Sequence, residues 1–143
     1  GAGMRRAVQS LATMGIIDSI ERLRAGLDYH LARHNLLTTN LAHVDTPGYR
    51  PVDLAQRTTF KGTLHTAMAA TEPGHIDSPR SARNAWEVIE DPAGEAGADG
   101  NGVHLDREAV KVASNNLRYD ALSTLVAGQL SLLSWAANDG RNG

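Results

Sequence analysis

The N-terminal part of the chain carries an apolar stripe with the period of an α-helix. Its members recur at alternating steps of four and three residues, which keeps them on one helical face. They are Ile16, Ile20, Leu23, Leu27, His30, His34, Leu37, Leu41 and Val44. Asp18, followed three residues later by Glu21, resembles a capping box at a helix start. The pattern predicts an amphipathic helix over 18–44, within an N-terminal segment of 18–46 that follows a flexible tail of 1–17.

The C-terminal part has the same period but carries two apolar stripes side by side. The first consists of Leu105, Ala109, Val112, Tyr119, Val126, Leu130, Leu133 and Ala137. The second consists of Val110, Ala113, Leu117, Ala121 and Leu125. An apolar arc this wide requires more than one neighbouring helix. A helix over 105–138 would be roughly 50 Å long, so we expect it to pack along other helices, in a segment of 103–139 followed by a tail of 140–143.

Turn-forming residues are concentrated between the two helical patterns. All five prolines lie at positions 47 to 92, and glycines crowd positions 94 to 102, so residues 47–102 are predicted to be rich in loops. Short β segments are expected around 83–89, where Trp86 and Val88 alternate with polar residues. The predicted fold is mainly α, with two long terminal amphipathic helices that pair as an antiparallel coiled-coil-like hairpin.

Composition narrows the choice of function. Only 4% of the residues are aromatic and 41% are hydrophobic, which favours aliphatic seams between helices over a large globular core. The formal charge of −2 provides no positive field for nucleic acid. Residues 121–138 are uncharged but contain several polar side chains, so a protein-packed helix is favoured over a bilayer span. No apolar run of signal-peptide length precedes Asp18, so no cleavable secretory signal is expected.

The clearest candidates for chemistry are His30 and His34, whose spacing places two imidazoles on one helical face, as in many zinc sites. Leu31 follows His30, so the zinc-protease pattern is absent, and a third ligand would have to come from His43 or a distant carboxylate. Alternatively, both histidines are polar seam residues that set helix register. Cysteine is absent, as are the common phosphate-binding, dinucleotide-binding and hydrolase motifs. We predict no catalytic residue, no cofactor and no metal site.

The first helix ends in the run Asn40-Leu41-Ala42-His43-Val44-Asp45-Thr46-Pro47-Gly48-Tyr49. Pro47 and Gly48 occupy the two central positions of a type II turn. The polar side chains can cap backbone groups, and Tyr49 can fold back on the helix. The residues alone therefore predict a helix stop followed by a rigid turn.

This run resembles the N-terminal signature of bacterial flagellar axial proteins, the family of rod, hook and hook-associated subunits. The order of residues is most similar to that of a proximal-rod subunit, and the matching positions are Asn40, Leu41, Ala42, Asp45, Thr46, Pro47, Gly48 and Tyr49. Residues 100–103, 105–108 and 116–119 resemble a second family block, and residues 72–76 resemble its central segment. His43 and His104 depart from the pattern, since the family usually has Asn and Asp there.

The resemblance implies a structural subunit of the flagellar basal-body rod, part of the motor drive shaft that motility requires. Such subunits leave the cell through the flagellar type III export apparatus without a cleaved signal and assemble in the periplasm through their terminal helices. Expected partners are other rod proteins, the adaptor at the export gate and rod base, and further copies of the chain, but neither nucleic acid nor a lipid bilayer. The expected assembly faces comprise Ile20, Leu23, Leu27 and Leu41, which meet Leu117, Val126, Leu130 and Leu133, together with Tyr119.

Two other classes of protein fit the same residues. A soluble helical adaptor or binding module would show the same stripes, but it should fold stably alone, whereas a lone axial subunit should be only partly ordered. A metal-dependent helical enzyme built on His30 and His34 is the weaker alternative, because it needs a third ligand.

Overall fold

The computed structural model describes residues 1–57, 85–91 and 101–142, with side chains in the last segment from 104 to 138. Within these residues the chain forms helix α1 (Ala2–Ala42), strand β1 (Val52–Gln56), strand β2 (Trp86–Glu90) and helix α2 (Asn101–Asn142), in that order. Strand β2 agrees with the β segment expected around 83–89, whereas β1 lies outside it. Residues 72–76 and 100, which carry part of the family resemblance, lie outside the described residues.

Helix α1 is longer than the predicted helix. It contains 41 residues and is about 60 Å long at 1.5 Å per residue. Residues 2–17, predicted as a tail, form its first turns because they contain no proline and are rich in strong helix formers such as Ala, Met and Arg. Asp18 and Glu21 therefore lie inside the helix, and the capping-box prediction is wrong. Helix α2 likewise begins before the predicted segment of 103–139 and extends through residue 142.

The two long helices run antiparallel, as predicted. His30 on α1 contacts Asn115 on α2, and Asn40 contacts Glu108, so residue numbers fall along α2 as they rise along α1. In the described part of the chain, no helix combines the length and the apolar character that crossing a membrane requires.

The buried core is small and lies where the helices meet the strands. Its hydrophobic cluster consists of Leu23, Tyr29, Leu54, Ala85 and Leu122. Partly buried side chains pack around it, namely Ala25, Leu27, Ala32, Leu36, Trp86 and Val126. The apolar stripe predicted on α1 is confirmed, because every one of its positions from 16 to 44 is buried or half-buried.

The buried face of α2 differs from the predicted stripe. Its buried side chains are Glu108, Asn115 and Leu122, which follow one another at intervals of seven residues, and two of the three are polar. Leu117 is 72% exposed and Leu130 is 50% exposed, so neither belongs to the buried seam, in contrast to the prediction that they meet α1. Polar residues occupy much of the face of α2 that contacts α1. Hydrophobic periodicity therefore indicates the neighbouring face of the helix instead.

Strands β1 and β2 form an antiparallel pair that lies against α1, with Leu54 opposite Val88. The hydroxyl of Tyr29 donates a hydrogen bond to the backbone carbonyl of Leu54 at 2.8 Å. The ring of Tyr29 meets Trp86 edge to face, with centroids 5.7 Å apart. Burial raises the pKa of Tyr29, so the hydroxyl retains the proton that this hydrogen bond needs at neutral pH. Tyr29 therefore fixes the strand pair to the middle of α1.

We expect Leu122→Ala to lower the free energy of unfolding by about 2–4 kcal/mol, because truncating a buried leucine removes apolar contacts and leaves a cavity. Leu117→Ala is the matched control on the same helix, and its effect should stay within about 0.5 kcal/mol, as is usual for surface sites. Urea unfolding followed by circular dichroism measures both. Equal losses in the two variants would contradict the seam described above.

Candidate functional site

The run that resembles the axial-protein signature forms a capped helix end followed by a tight turn. The backbone N–H of His43 donates to the carbonyl of Thr39, which closes the last turn of α1. The N–H of Tyr49 then donates to the carbonyl of Thr46 at 3.2 Å, and Gly48 has a φ of +77°. Glycine adopts this positive φ at the third position of a type II turn without steric strain. The predicted helix stop and turn are both confirmed.

Asn40 is the most connected residue of this run, and its side chain is almost fully buried. Its amide nitrogen donates to the backbone carbonyl of Val52 at 2.7 Å and to the carboxylate of Glu108 at 3.3 Å. Its amide oxygen accepts from the hydroxyl of Tyr49 at 2.9 Å and from the N–H of Val52 at 3.2 Å. Both donors and both acceptor sites of the amide are therefore in use. One side chain joins α1, the turn, β1 and α2.

The remaining signature residues divide between packing and exposure. Leu41 is half-buried on the seam. The ring of Tyr49 stacks on His43, with centroids 4.7 Å apart and planes inclined by 15°. The exposed positions are Ala42, Asp45, Thr46, Pro47 and Gly48. The signature thus has an inner part that holds the chain together and an outer part that is accessible to other molecules.

A cluster of charged side chains lies beside Asn40. The guanidinium of Arg33 donates two hydrogen bonds to the carboxylate of Asp53, at 2.8 and 3.0 Å. The ammonium of Lys111 pairs with Asp91 and lies 3.8 Å from oxygens of both Asp53 and Glu108. The cluster therefore connects α1, the strand pair and α2 by ion pairs. Two parallel hydrogen bonds from a guanidinium to one carboxylate, as from Arg33 to Asp53, are the strongest form of such contacts.

Among the described residues, the cluster contains two cations, Arg33 and Lys111, and three carboxylates, Asp53, Asp91 and Glu108. Glu108 is 2% exposed, and its Oε1 atom is buried without a hydrogen bond among the described residues. Burial pushes the pKa of Asp53 upward, but the hydrogen bonds and charge of Arg33 outweigh it and, with Lys111, hold the pKa of this carboxyl below its usual value. Asp53 is therefore ionised throughout the neutral range.

The two histidines of the predicted stripe form polar pairs across the seam. Nδ1 of His30 lies 2.7 Å from the amide oxygen of Asn115, whose amide nitrogen donates to the backbone carbonyl of His30 at 2.7 Å. Nδ1 of His34 lies 2.9 Å from the amide oxygen of Asn116. Burial lowers the pKa of His30, which keeps the ring neutral at pH 7. These pairs support the interpretation that the histidines set the register of the helices.

The structure also tests whether a third metal ligand is near. His43 is the residue that caps the C-terminus of α1, nine residues after His34, so it lies about 13 Å further along the helix axis. Among the residues with described placement, no three His, Cys, Asp or Glu side chains cluster in a way that could hold a metal ion.

A continuous apolar stripe remains uncovered on α2. The second predicted stripe is exposed in full, at Val110, Ala113, Leu117, Ala121 and Leu125, and it continues through Gly128, Leu132 and Trp135. Its length is about 37 Å, and no charged residue interrupts it. At the N-terminal end of α1, Met4, Val8 and Leu11 form a second exposed apolar row.

The predicted assembly-face residues divide between this surface and the seam. Leu23 is buried, Leu117 and Leu130 are exposed, and the half-buried members are Ile20, Leu27, Leu41, Tyr119, Val126 and Leu133. Hydrophobic patterning missed the polar seam residues, of which Arg33, Asp53 and Lys111 are the clearest. On α2 the signal in the sequence is the helical spacing of Glu108, Lys111 and Asn115, which no apolar template selects, whereas Arg33 and Asp53 lie on other elements and share no sequence spacing with them.

Asn40→Asp should lower the free energy of unfolding by about 3 kcal/mol, because the new carboxylate cannot donate to Val52 and meets the buried carboxylate of Glu108. Asn116→Asp provides the control, since Asn116 is exposed on α2 and should change stability by less than about 1 kcal/mol. Chemical denaturation of both variants measures the difference. A mild effect at position 40 would show that its amide is dispensable.

Asp53→Asn should lower the free energy of unfolding at pH 7 by roughly 2–3 kcal/mol, because Arg33 and Lys111 lose their shared anion. The native pKa of Asp53 is lower than its unfolded value near 3.8, so its contribution is present above about pH 4 and disappears as pH falls through the native pKa. Urea unfolding at pH 7 and pH 3 should therefore show that the gap between wild type and variant is smaller in acid. A gap as large at pH 3 as at pH 7 would contradict this role of the charge.

Comparison with known proteins identifies the family. No model of a protein family matches the chain. The chain is 33% identical over 109 residues to flagellar basal body rod protein FlgB of Cereibacter sphaeroides, covering 73% of this chain and 81% of that protein. It is 30% identical over 112 residues to FlgB of Salmonella typhimurium and 28% identical over 116 residues to FlgB of Escherichia coli, with the same coverage. These matches confirm the resemblance first seen at the signature run, and the chain belongs to the flagellar basal body rod protein FlgB family.

Proposed function

We propose that the chain is a structural subunit of the bacterial flagellar basal-body rod and that it assembles through apolar helix faces which its own fold leaves uncovered. The single observation that carries this mechanism is the uncharged, exposed stripe on α2 from Val110 to Trp135. Membership of the FlgB family supports the location in the basal body. The chain is a structural protein rather than an enzyme.

The distribution of apolar side chains supports assembly as the source of stability. In the described part of the chain, fourteen large hydrophobic side chains are exposed, whereas six hydrophobic residues are buried. The members that lie along the α2 stripe share one helical face, and contiguous exposed apolar surface marks a protein interaction site. Burying it between subunits stabilises an assembly by roughly 25 cal/mol for each Å² removed from water.

Two distinct apolar surfaces on one subunit favour an open polymer. The α2 stripe and the row formed by Met4, Val8 and Leu11 lie on different helices. When the stripe of one subunit receives a different surface of the next, the contact is heterologous, and repetition produces a helical filament instead of a closed dimer. We assign the α2 stripe to a helix of a neighbouring rod subunit, either another copy or a related rod protein.

The finer features of the proposal follow from the family resemblance. The rod is the proximal one, part of the motor drive shaft, and its subunits reach the periplasm through the type III export apparatus. The rod-base adaptor at the export gate is a further partner. The type II turn fixes the direction in which the chain leaves α1. This fixed exit supports a place for α1 in the layer of the rod that the terminal helices of its subunits form.

The test is a doubly charged variant, Leu117→Asp with Leu132→Asp, in a strain that lacks its own copy of the gene. Both side chains are exposed, so the subunit should fold normally, but buried carboxylates would block packing in the rod. We expect loss of motility in soft agar and loss of the subunit from purified basal bodies.

The control is Ser134→Asp, which introduces one carboxylate at an exposed position on a different face of α2, and it should support motility. Circular dichroism of each purified variant verifies that α-helix content is unchanged. Normal motility of the doubly charged variant would exclude the stripe as an assembly contact.

A further inference from the structure

His30 and His34 offer two metal-binding nitrogen atoms whose availability depends on the asparagines across the seam. An amide oxygen carries no hydrogen, so the 2.7 Å contact between Nδ1 of His30 and Oδ1 of Asn115 requires the ring to donate from Nδ1. The orientation of this amide is fixed independently, because its nitrogen donates to the backbone carbonyl of His30. In the neutral ring, Nε2 then carries a free lone pair.

His34 makes a similar contact. Its Nδ1 lies 2.9 Å from the amide oxygen of Asn116, and donation from Nδ1 in the neutral ring leaves a lone pair on Nε2. Among the described residues, no hydrogen bond involves Nε2 of either ring. A hydrogen bond from Nδ1–H to an oxygen atom is the arrangement that orients metal-binding histidines and raises their basicity.

The imidazole rings of His30 and His34 line the same cavity. Its volume is about 220 Å³, and its lining consists of His30, Leu31, His34, Asn116 and Tyr119. One water molecule needs roughly 10–15 Å³ of such volume, so the cavity accommodates a metal ion with several water ligands. The i, i+4 spacing places the two rings one helical turn apart on the same face.

We propose that His30 and His34 bind one divalent transition-metal ion, such as Zn²⁺ or Cu²⁺, through their Nε2 atoms, with water completing the coordination. Imidazole suits these ions, and two ligands from one helix turn make a site that exists only when α1 is helical. Binding therefore favours the folded hairpin over the unfolded chain. The role is structural and lies beyond assembly through the apolar stripe.

The charges around the cavity limit its affinity. Arg33 and Arg118 act on His30 from α1 and α2, and both oppose a cation. Arg33 is paired with Asp53, so the repulsion comes mainly from Arg118. Removing that charge in Arg118→Gln should therefore tighten metal binding, whereas a structural role for the histidines alone predicts no effect of this substitution.

The test uses the full chain without an affinity tag, titrated with Zn²⁺ at pH 7.5 in competition with a chromophoric chelator. We expect one ion per chain, and we expect Zn²⁺ to raise the urea midpoint of unfolding. Asn116→Ala should weaken binding by about tenfold, the usual effect of losing the group that orients a metal-binding histidine. His34→Gln should weaken it further and abolish the rise in the midpoint. Electron paramagnetic resonance of the Cu²⁺ form should show nitrogen coupling that His34→Gln reduces.

His43→Gln is the matched control, because His43 caps the C-terminus of α1 and does not line the cavity, and this variant should bind Zn²⁺ as the wild type does. Asn116 is exposed, so Asn116→Ala tests the site even where His34→Gln fails to fold. Absence of a stoichiometric complex, or equal affinity in wild type, His34→Gln and Asn116→Ala, would overturn the proposal. An equal loss of affinity in His43→Gln would also overturn it.

Discussion

The structure depends on the side-chain amide of Asn40, which satisfies four partners in a buried position. The amide binds both the N–H and the carbonyl of Val52. It therefore satisfies the backbone of the first residue of β1 and sets where this strand begins. Its contact with Glu108 fixes the register of α2 against α1. The segment between Asn40 and Val52 is short. The same amide therefore holds both the turn of the family signature and the register of α2 against α1.

Polar residues occupy the first part of the α2 seam, before the buried Leu122, and apolar residues line an exposed face of the same helix. The seam toward α1 contains Glu108, Lys111 and Asn115, whereas the outward face from Val110 to Trp135 is apolar. Buried ion pairs and amides contribute little net stability but penalise every wrong register strongly, because a shift leaves charges unpaired. The seam therefore specifies one pairing of the helices, and the apolar stripe remains exposed.

The sequence predicted those features that depend on local chemistry or on apolar periodicity. The α1 stripe, the type II turn at Pro47 and Gly48, and the exposed second stripe of α2 all follow from residue type and spacing. The seam of α2 could not be predicted, because Glu108 and Asn115 become compatible with burial only through partners distant in sequence. The extension of α1 to Ala2 was missed for a different reason, since its apolar residues face outward and define no seam.

The polar residues of the seam also affect how readily the two helices separate. When such a hairpin opens, each amide or carboxylate exchanges its protein partner for water, so separation is less unfavourable than for an apolar seam of equal area. When the helices meet again, the same groups admit one register only. Under the assembly mechanism proposed above, apolar burial is gained mainly between subunits. Order and assembly would then be coupled, because the contacts that complete the subunit would also place it in the rod.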